Sequence, residues 1–497
     1  MNIPSGTRLV KRRSVLAAAI GTTATVLLAA CGAPAAPTAT PAPKPVEAPT
    51  APKPTEAAKP AAQAPTAAPK PTEAPKPTAA PTAKPLAEGR LVTMTMWAQT
   101  IPGEQAKAEL FTKEHPNIKV EIANVATGGQ GAEAVQKFLT AIAAGTAASV
   151  VFFDLVRADN YDLKRFIKPC IVECYGIDGK LYGLPRHYVN RWFLVNADHL
   201  KEDGINPEGE LTDWQYLKSV AVKLTKKDGG GRLTRIGIQP NYIDLAYTWG
   251  WSNGGQWVTA DGKQATMDDP RNVEAWQFAA DIAEAMGGQE KINAFASGFE
   301  TGAGEPFFVG KISLRYGGQT QLRQLAQFKP DLNLRVFMFP AKNAGDPKTS
   351  WSGGHAWVMP RGAKEKDIAW ELMKAWVSWP YTVVFQEAQK ELNAKSKAPY
   401  LGELTGQADQ DAKLMEKYRT GVELIDKAAK IAIDWMTDPK VNTHIRPLSP
   451  AALEMWDAVR GAYEETMLKK KTPAQALKDA NTKVQKVLDE AWASVGR

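Results

Sequence analysis

The residues in this chain best suited to chemistry are aromatic. Tyr242, Tyr247, Trp249, Trp251 and Trp257 fall within one short segment of a 497-residue sequence that holds 15 tryptophans. A flat π-face stacks on the C–H face of a sugar ring, and polar side chains at its edge reach the ring's hydroxyls. Tryptophan also fills cores, so packing is the competing role for each single indole.

A second chemical signal is Cys31, preceded by Leu28-Ala29-Ala30 and followed by Gly32. Behind a basic start (Arg8, Lys11, Arg12, Arg13) and an apolar run too short to span a bilayer, this is the pattern of a lipoprotein signal. The thiol of Cys31 would take a diacylglyceryl group and become the mature N-terminus. Lys11-Arg12-Arg13-Ser14 also resembles a twin-arginine signal, so export by that route or by the general secretory route stays open. Two further cysteines, Cys170 and Cys174, could pair as a disulfide in an oxidising compartment if the backbone brings them close enough.

Other chemistries find little support. None of His115, His187, His199, His355 and His444 lies in a metal-ligand motif, and there is no Gly-x-Ser-x-Gly elbow. No metal and no cofactor is expected. The net charge of +8 is unevenly spread: four charges precede Ala33 and two more fall before Gly89, leaving about two for the rest. That balance argues against a nucleic-acid partner.

The elements that must position these residues begin after a long spacer. Residues 33–88 are almost entirely Ala, Pro, Thr and Lys with scattered Glu. Such a segment cannot bury apolar surface and favours extended polyproline II, a stalk reaching on the order of 150 Å at about 3.1 Å per residue. From Gly89 the pattern changes. Leu91–Trp97 alternates like a strand, Gln105–His115 has helical spacing closed by Pro116, Ile118–Ile122 and Val150–Phe153 read as strands, and Ala132–Ala144 reads as a helix. This is the grammar of a parallel α/β sheet, whose ligands sit beyond the strands' carboxyl ends. Further on, the spacing predicts a strand at Arg191–Val195 and a helix from Asp213-Trp214 to Leu224. It predicts a hairpin around Asp261-Gly262, a helix at Arg271–Met286, and strands at Ile312–Tyr316 and Asn333–Phe339. A closing helix starts at Thr472-Pro473, where Gln475 completes a capping box.

Several fragments in this order resemble the extracellular solute-binding proteins of ABC importers, the group that includes maltose-binding protein. They are Met94-Thr95-Met96-Trp97, Phe111 to Pro116, Ala144 to Asp154, Gly179 to Pro185, Phe308 to Leu314, Trp351 to Val358 and Ala474 to Ala480. The resemblance implies an α/β, two-lobe periplasmic-binding-protein-like fold of class II, with the lobes joined by a multi-strand hinge. It implies a signal peptide over 1–31, a stalk over 32–88, lobe 1 from 89–188 and 340–388, and lobe 2 from 189–339 and 389–497. Carried over residue by residue, the ligand-binding group would be Trp97, Phe153, Asp154, Tyr188, Trp249, Trp251, Gln319, Trp351, Gly353 and Arg446. The glycine pairs Gly317-Gly318 and Gly353-Gly354 would let backbone approach a ligand closely. The stretch from Asp154 to Leu181 is short beside that of relatives, which would leave a sheet edge of lobe 1 uncovered.

The expected function is capture of a sugar or oligosaccharide between the lobes and delivery to an ABC permease. The protein would be an extracytoplasmic monomer held at the membrane by lipid on Cys31, and not an enzyme. Two other readings stay open: a secreted glycoside hydrolase, which needs two carboxylates facing the scissile bond, and a surface lipoprotein that keeps the fold for sensing or structure.

Overall fold

The computed structural model describes residues 88–95, 100–124, 150–151, 174, 181–359, 363 and 365–494. The first elements are β1 (Gly89–Thr95), α1 (Ile101–Glu114), β2 (Ile118–Asn124) and β3 (Val150–Val151). β1 runs parallel to both of the other strands and lies between them. α1 starts four residues earlier than its apolar spacing predicts, because Pro102 fits the first turn, where its missing N–H has no intrahelical partner. The expected helix at 132–144 and the site residues Trp97, Phe153 and Asp154 lie outside the described residues, as do Cys31, Cys170 and most of the short segment after Asp154.

β4 (Leu184–Asn196) is thirteen residues long, and only its second half is visible in the sequence, as the apolar run Trp192 to Val195. Pro185, Arg186 and His187 hide the first half, yet all three are buried. After it come α2 (Ala197–Glu202), α3 (Trp214–Leu224), β5 (Lys226–Lys227), β6 (Leu233–Ile238), α4 (Ile243–Ser252), α5 (Pro270–Met286) and α6 (Gln289–Ala296). β7 (Ile312–Gly318), α7 (Gln319–Phe328), β8 (Leu334–Phe337) and β9 (Lys348–Trp357) follow. The chain ends with α8 (Lys366–Trp376), α9 (Trp379–Ala394), α10 (Ala408–Lys417), α11 (Glu423–Thr437), β10 (Val441–His444), α12 (Ala452–Met467) and α13 (Pro473–Ser494).

Local chemistry accounts for several boundaries. Asp213 accepts from Tyr216 N at 2.9 Å to start α3. At α13 the Thr472 hydroxyl accepts from Gln475 N at 3.3 Å while Gln475 Oε1 accepts from Thr472 N at 3.2 Å, and Leu477, Val484 and Leu488 are fully buried behind this box. The hairpin at Asp261-Gly262 forms with Gly262 at φ 68°, a turn conformation that suits glycine.

β4 organises the larger sheet, whose order is β10-β9-β4-β7-β6-β5, with β8 also paired to β4. Its first half pairs with β9, from Leu184↔Trp357 to Asn190↔Ser352. Its second half pairs with β7 on one edge and β8 on the other. The hydrophobic side chains form two cores, and β4 changes core along its length. Leu184 and Tyr188 belong to one, with Leu91, Phe111, Trp357 and Trp376. Val189 and Trp192 to Val195 belong to the other, with Trp249, Trp276, Tyr316 and Phe339. β9 makes the reverse crossing, from Trp351 to Trp357. A third segment crosses between Leu401 and Leu404, where Tyr188 N donates to Leu404 O at 3.0 Å. α11 crosses as well, with Ala432 in the second core and Met436 in the first, so the two cores are joined by strands and a helix that lie side by side. No helix among the described residues is long and apolar enough to cross a membrane.

Candidate functional site

Where β4 and β9 cross between the cores, the sheet brings together side chains that are distant in sequence. The register sets Arg191 opposite Gly318 and Asn190 opposite Ser352, so β4, β7 and β9 meet where α7 begins. Gln319, the first residue of α7, is 2% exposed, and neither its amide nitrogen nor its amide oxygen has a hydrogen-bond partner among the described residues. An orphaned buried amide costs about 1–3 kcal/mol. A ligand hydroxyl, which both donates and accepts, would satisfy both atoms.

Trp351 lies beside this point, but its surroundings differ from those of an open stacking platform. The Arg191 guanidinium carbon sits 4.6 Å from the indole centroid and that of Arg446 sits 5.5 Å from it. The ring is 4% exposed. Arg191 Nε donates to Asp244 Oδ2 at 2.7 Å, while its Nη1 is buried with no acceptor among the described residues. Arg446 donates to Gly354 O at 2.7 Å. Nearby, Arg315 lies 4.8 Å from the ring centroid of Tyr242 and donates to Glu305 at 2.9 Å.

The aromatic segment of the sequence folds as α4, which divides it by helical spacing. Tyr247 and Trp251, one turn apart, face β10 and α12: Trp251 stacks on His444 at 5.0 Å and 4°, and Tyr247 stacks on Trp456 at 5.6 Å and 13°. Trp249 points the other way. It is fully buried and packs edge-on against Trp214 at 5.4 Å and Phe339 at 4.7 Å, as a core residue. Trp257 is likewise in the core. Tyr188 is buried at the change between cores. Gly353 lies opposite Val189 within the β4–β9 ladder.

One glycine of each pair serves the sheet itself. A Cβ on Gly354 would overlap the His187 carbonyl oxygen, and one on Gly318 would overlap that of Asn190. The close approach these two permit is to β4, one on either edge.

A buried ionic network runs along the same crossing. Arg186 donates to Glu104 at 2.8 Å and to Glu403 at 3.2 Å, and Arg323 on α7 donates to the other Glu403 oxygen at 2.8 Å. Burial opposes ionisation of Glu403, but Arg323 and Arg186 outweigh it and hold its carboxyl far below the usual range. Lys107 borders a small polar cavity with Arg186, Gln386 and Glu403. Its burial lowers its amine to about 8 despite Glu104. His187 and His355, opposite each other on β4 and β9, stack at 4.9 Å with ring nitrogens 3.3 Å apart. Arg186 Nη1 can only donate, so His187 Nδ1, 3.1 Å away, accepts and the proton resides on Nε2, pointing to His355. Burial, aided by the surrounding arginines, lowers His187 to about 3 and takes His355 well below its ordinary value.

Of the expected site residues, the fold gathers Gln319, Trp351, Gly353 and Arg446 at the crossing and sets Trp251 beside His444. Tyr242, of the aromatic cluster, lies near them, and Arg191, Asp244 and Trp456 join them without having been assigned a site role in the sequence. Nothing local marks Arg191, an arginine opening an apolar strand, and only strand register reveals its place. Cys174 is buried, but Cys170 lies outside the described residues, as noted. No group of three or more metal-ligating side chains occurs among the described residues.

Comparison with known proteins adds five findings. The family model for bacterial extracellular solute-binding protein matches residues 97–378. A putative binding protein of Brucella abortus (strain 2308) is 23% identical over 425 residues, covering 81% of this chain and 93% of that protein. The arabinooligosaccharide-binding protein of Bacillus subtilis (strain 168) is 21% identical over 308 residues, covering 56% and 68% respectively. Among solved structures, CpMnBP1 with mannobiose bound superposes with a TM-score of 0.64 at 22% identity, covering 80% of this chain and all of that one. Maltose-bound MalE3 of T. maritima gives a TM-score of 0.60 at 17% identity, with the same coverage.

Proposed function

Because the chain belongs to the bacterial extracellular solute-binding protein family, whose model spans more than half of it, we propose that it captures a sugar or oligosaccharide between two lobes and passes it to an ABC permease. The architecture is the two-lobe, periplasmic-binding-protein-like α/β fold that the sequence led us to expect. We place lobe 1 at 89–188 and 340–388 and lobe 2 at 189–339 and 389–497, with the ligand at their junction. The observation that carries the reading is the buried amide of Gln319, without a hydrogen-bond partner among the described residues, at the start of α7 beside Trp351 and the crossing strands. A hydroxyl-rich ligand is the chemistry that amide lacks.

Trp251, Gln319, Trp351, Gly353 and Arg446 are proposed ligand neighbours from lobe 2 and the hinge. Trp97, Phe153, Asp154 and Tyr188 are proposed from lobe 1. The likeness to proteins described as binding mannobiose, maltose or arabinooligosaccharides supports a saccharide over other small polar solutes. Cys31 would carry the lipid, the stalk would give reach, and the folded part would act as a monomer without catalysis. Closure on a ligand that touches both lobes is the driving step.

Thermal shift of the full chain against a panel of neutral and charged oligosaccharides tests the binding reading. A rise in melting temperature for at least one sugar is expected, and silence across the panel would sink it. Release of reducing sugar from any member would favour the hydrolase reading instead. Cys31→Ser should move the protein from the membrane fraction to the soluble fraction, and unchanged partition would remove the lipid anchor from the proposal.

A further inference from the structure

Arg191 opens the second half of β4, and its guanidinium is held from two directions. Its Nε donates to Asp244 Oδ2 at 2.7 Å, and its carbon lies 4.6 Å from the centroid of the Trp351 ring. Asp244, in the first turn of α4, is itself buried, as is Trp351. An ion pair along one edge and a ring against one face fix the plane of the fork. One part of that fork is left over: Nη1 is buried and has no acceptor among the described residues. Asp244 answers the charge of Arg191, so what Nη1 lacks is an oxygen to donate to.

A second orphaned group lies on the neighbouring strand. Register sets Arg191 opposite Gly318, and a Cβ on Gly318 would lie 3.4 Å from Nη1. The next residue is Gln319, whose amide nitrogen and oxygen are both buried without partners among the described residues. The start of α7 does not use that amide. Gln321 accepts from the Gly318 N–H at 3.0 Å, so a different side chain serves the helix end. Two elements thus leave three hydrogen-bonding atoms at one junction: Arg191 Nη1 and Gln319 Nε2 as donors, and Gln319 Oε1 as acceptor. Buried polar atoms left in this way weaken the fold unless something binds them.

Resting on the proposal that a saccharide binds at this junction, we infer that Arg191 is a specificity-determining residue: with Gln319 it reads two adjacent free hydroxyls of a neutral sugar ring, and Asp244 is the positioning residue that aims it. One hydroxyl accepts from Arg191 Nη1 and donates to Gln319 Oε1, while its neighbour accepts from Gln319 Nε2. A vicinal diol thereby satisfies all three atoms at once. A sugar lacking either hydroxyl leaves a buried donor unpaired, which is the kind of mismatch that hydrogen-bonding sites reject most strongly.

The test is calorimetry of the full chain with maltose, mannobiose, cellobiose and arabinobiose, followed by the monodeoxy series of each sugar that binds. Removing either of two neighbouring hydroxyls should weaken binding about tenfold or more, and removing any other should cost less. Arg191→Lys keeps a cation for Asp244 but loses the fork, so it should bind the parent sugar more weakly and no longer discriminate at one of the two positions. Gln319→Met should lose discrimination at both. It should also raise the melting temperature of the ligand-free protein, whereas an amide with a structural role would lower it. Should Arg191→Lys not fold, the two readouts of Gln319→Met decide. A binding sugar with no such pair of positions, or discrimination that Arg191→Lys and Gln319→Met leave intact, overturns the inference and leaves the sugar-binding proposal standing. Failure of all four sugars to bind the unaltered chain overturns both.

Discussion

At the scale of single residues, burial has changed what several side chains can do. Glu403 is the shared acceptor for Arg186 and Arg323, and Arg186 has Glu104 as a second partner. Glu403→Gln removes the carboxylate that Arg323 and Arg186 share and leaves Glu104 as the carboxylate on Arg186, so it should cost about 3 kcal/mol in urea unfolding. A loss below about 1 kcal/mol would show that the network is solvated. The paired histidines make a prediction of known sign. In the unfolded chain both titrate near 6.5, but His187 falls to about 3 and His355 is lowered strongly by burial in the native state. Between pH 6.5 and about 3 the unfolded state therefore takes up protons that the native state refuses, and stability is lost as pH falls through that window. The slope has an upper limit of about 1.4 kcal/mol per pH unit for each histidine. Unfolding midpoints measured from pH 7 to 4 should decline, and the double change of His187→Gln with His355→Gln should flatten the curve.

At the scale of elements, the decisive piece is a strand that serves two cores. β4 holds β9 and β7 on opposite edges, and Gly354 and Gly318 let each come close to it. Gly354→Ala must push β9 away from the His187 carbonyl, at a cost of about 1–3 kcal/mol. Gly461→Ala is the matching control. Gly461 is an exposed glycine inside α12 whose added Cβ meets nothing within 4 Å, so the change should stabilise by about 0.5–1 kcal/mol. Equal effects at the two sites, read from thermal or urea unfolding, would contradict this account of the hinge. α4 makes the same point about elements from the other side. Its ring-bearing residues look like one cluster in sequence, yet helical geometry sends Trp249 into the core and turns Trp251 toward His444.

At the scale of the molecule, β4, β9, the segment from Leu401 to Leu404 and α11 each pass between the two cores, and Arg323 on α7 is tied to Glu403 within that segment. On the proposed function, closure and ligand contact would be linked through one helix, since Gln319 and Arg323 are one turn apart on α7. A saturating sugar should narrow the distance distribution in solution scattering of the full chain. An identical profile with and without bound ligand would argue that the lobes do not move.

Much of this was readable from residue order alone. The strand-helix-strand start, the cap of α3, the capping box of α13 and the overall two-lobe class follow from periodicity, turn chemistry and family fragments, because these are local signals. Gln319, Trp351 and Arg446 were also within reach, since the resemblance assigned them a place. The roles of Arg191, Asp244, His187 and the glycine pairs were not. Arg191 and Asp244 are 53 positions apart, and His187 and His355 are 168 apart. No local pattern encodes such partners. Strand register brings them together, and exclusion of water then gives their charges and orphaned donors their force. The sequence by itself determined which elements form and what class of fold they build. Only the tertiary structure decided that Trp351 is covered by arginines and that the Gln319 amide is buried with no partner among the described residues, because strand register, which no local pattern encodes, sets β4, β7 and β9 side by side.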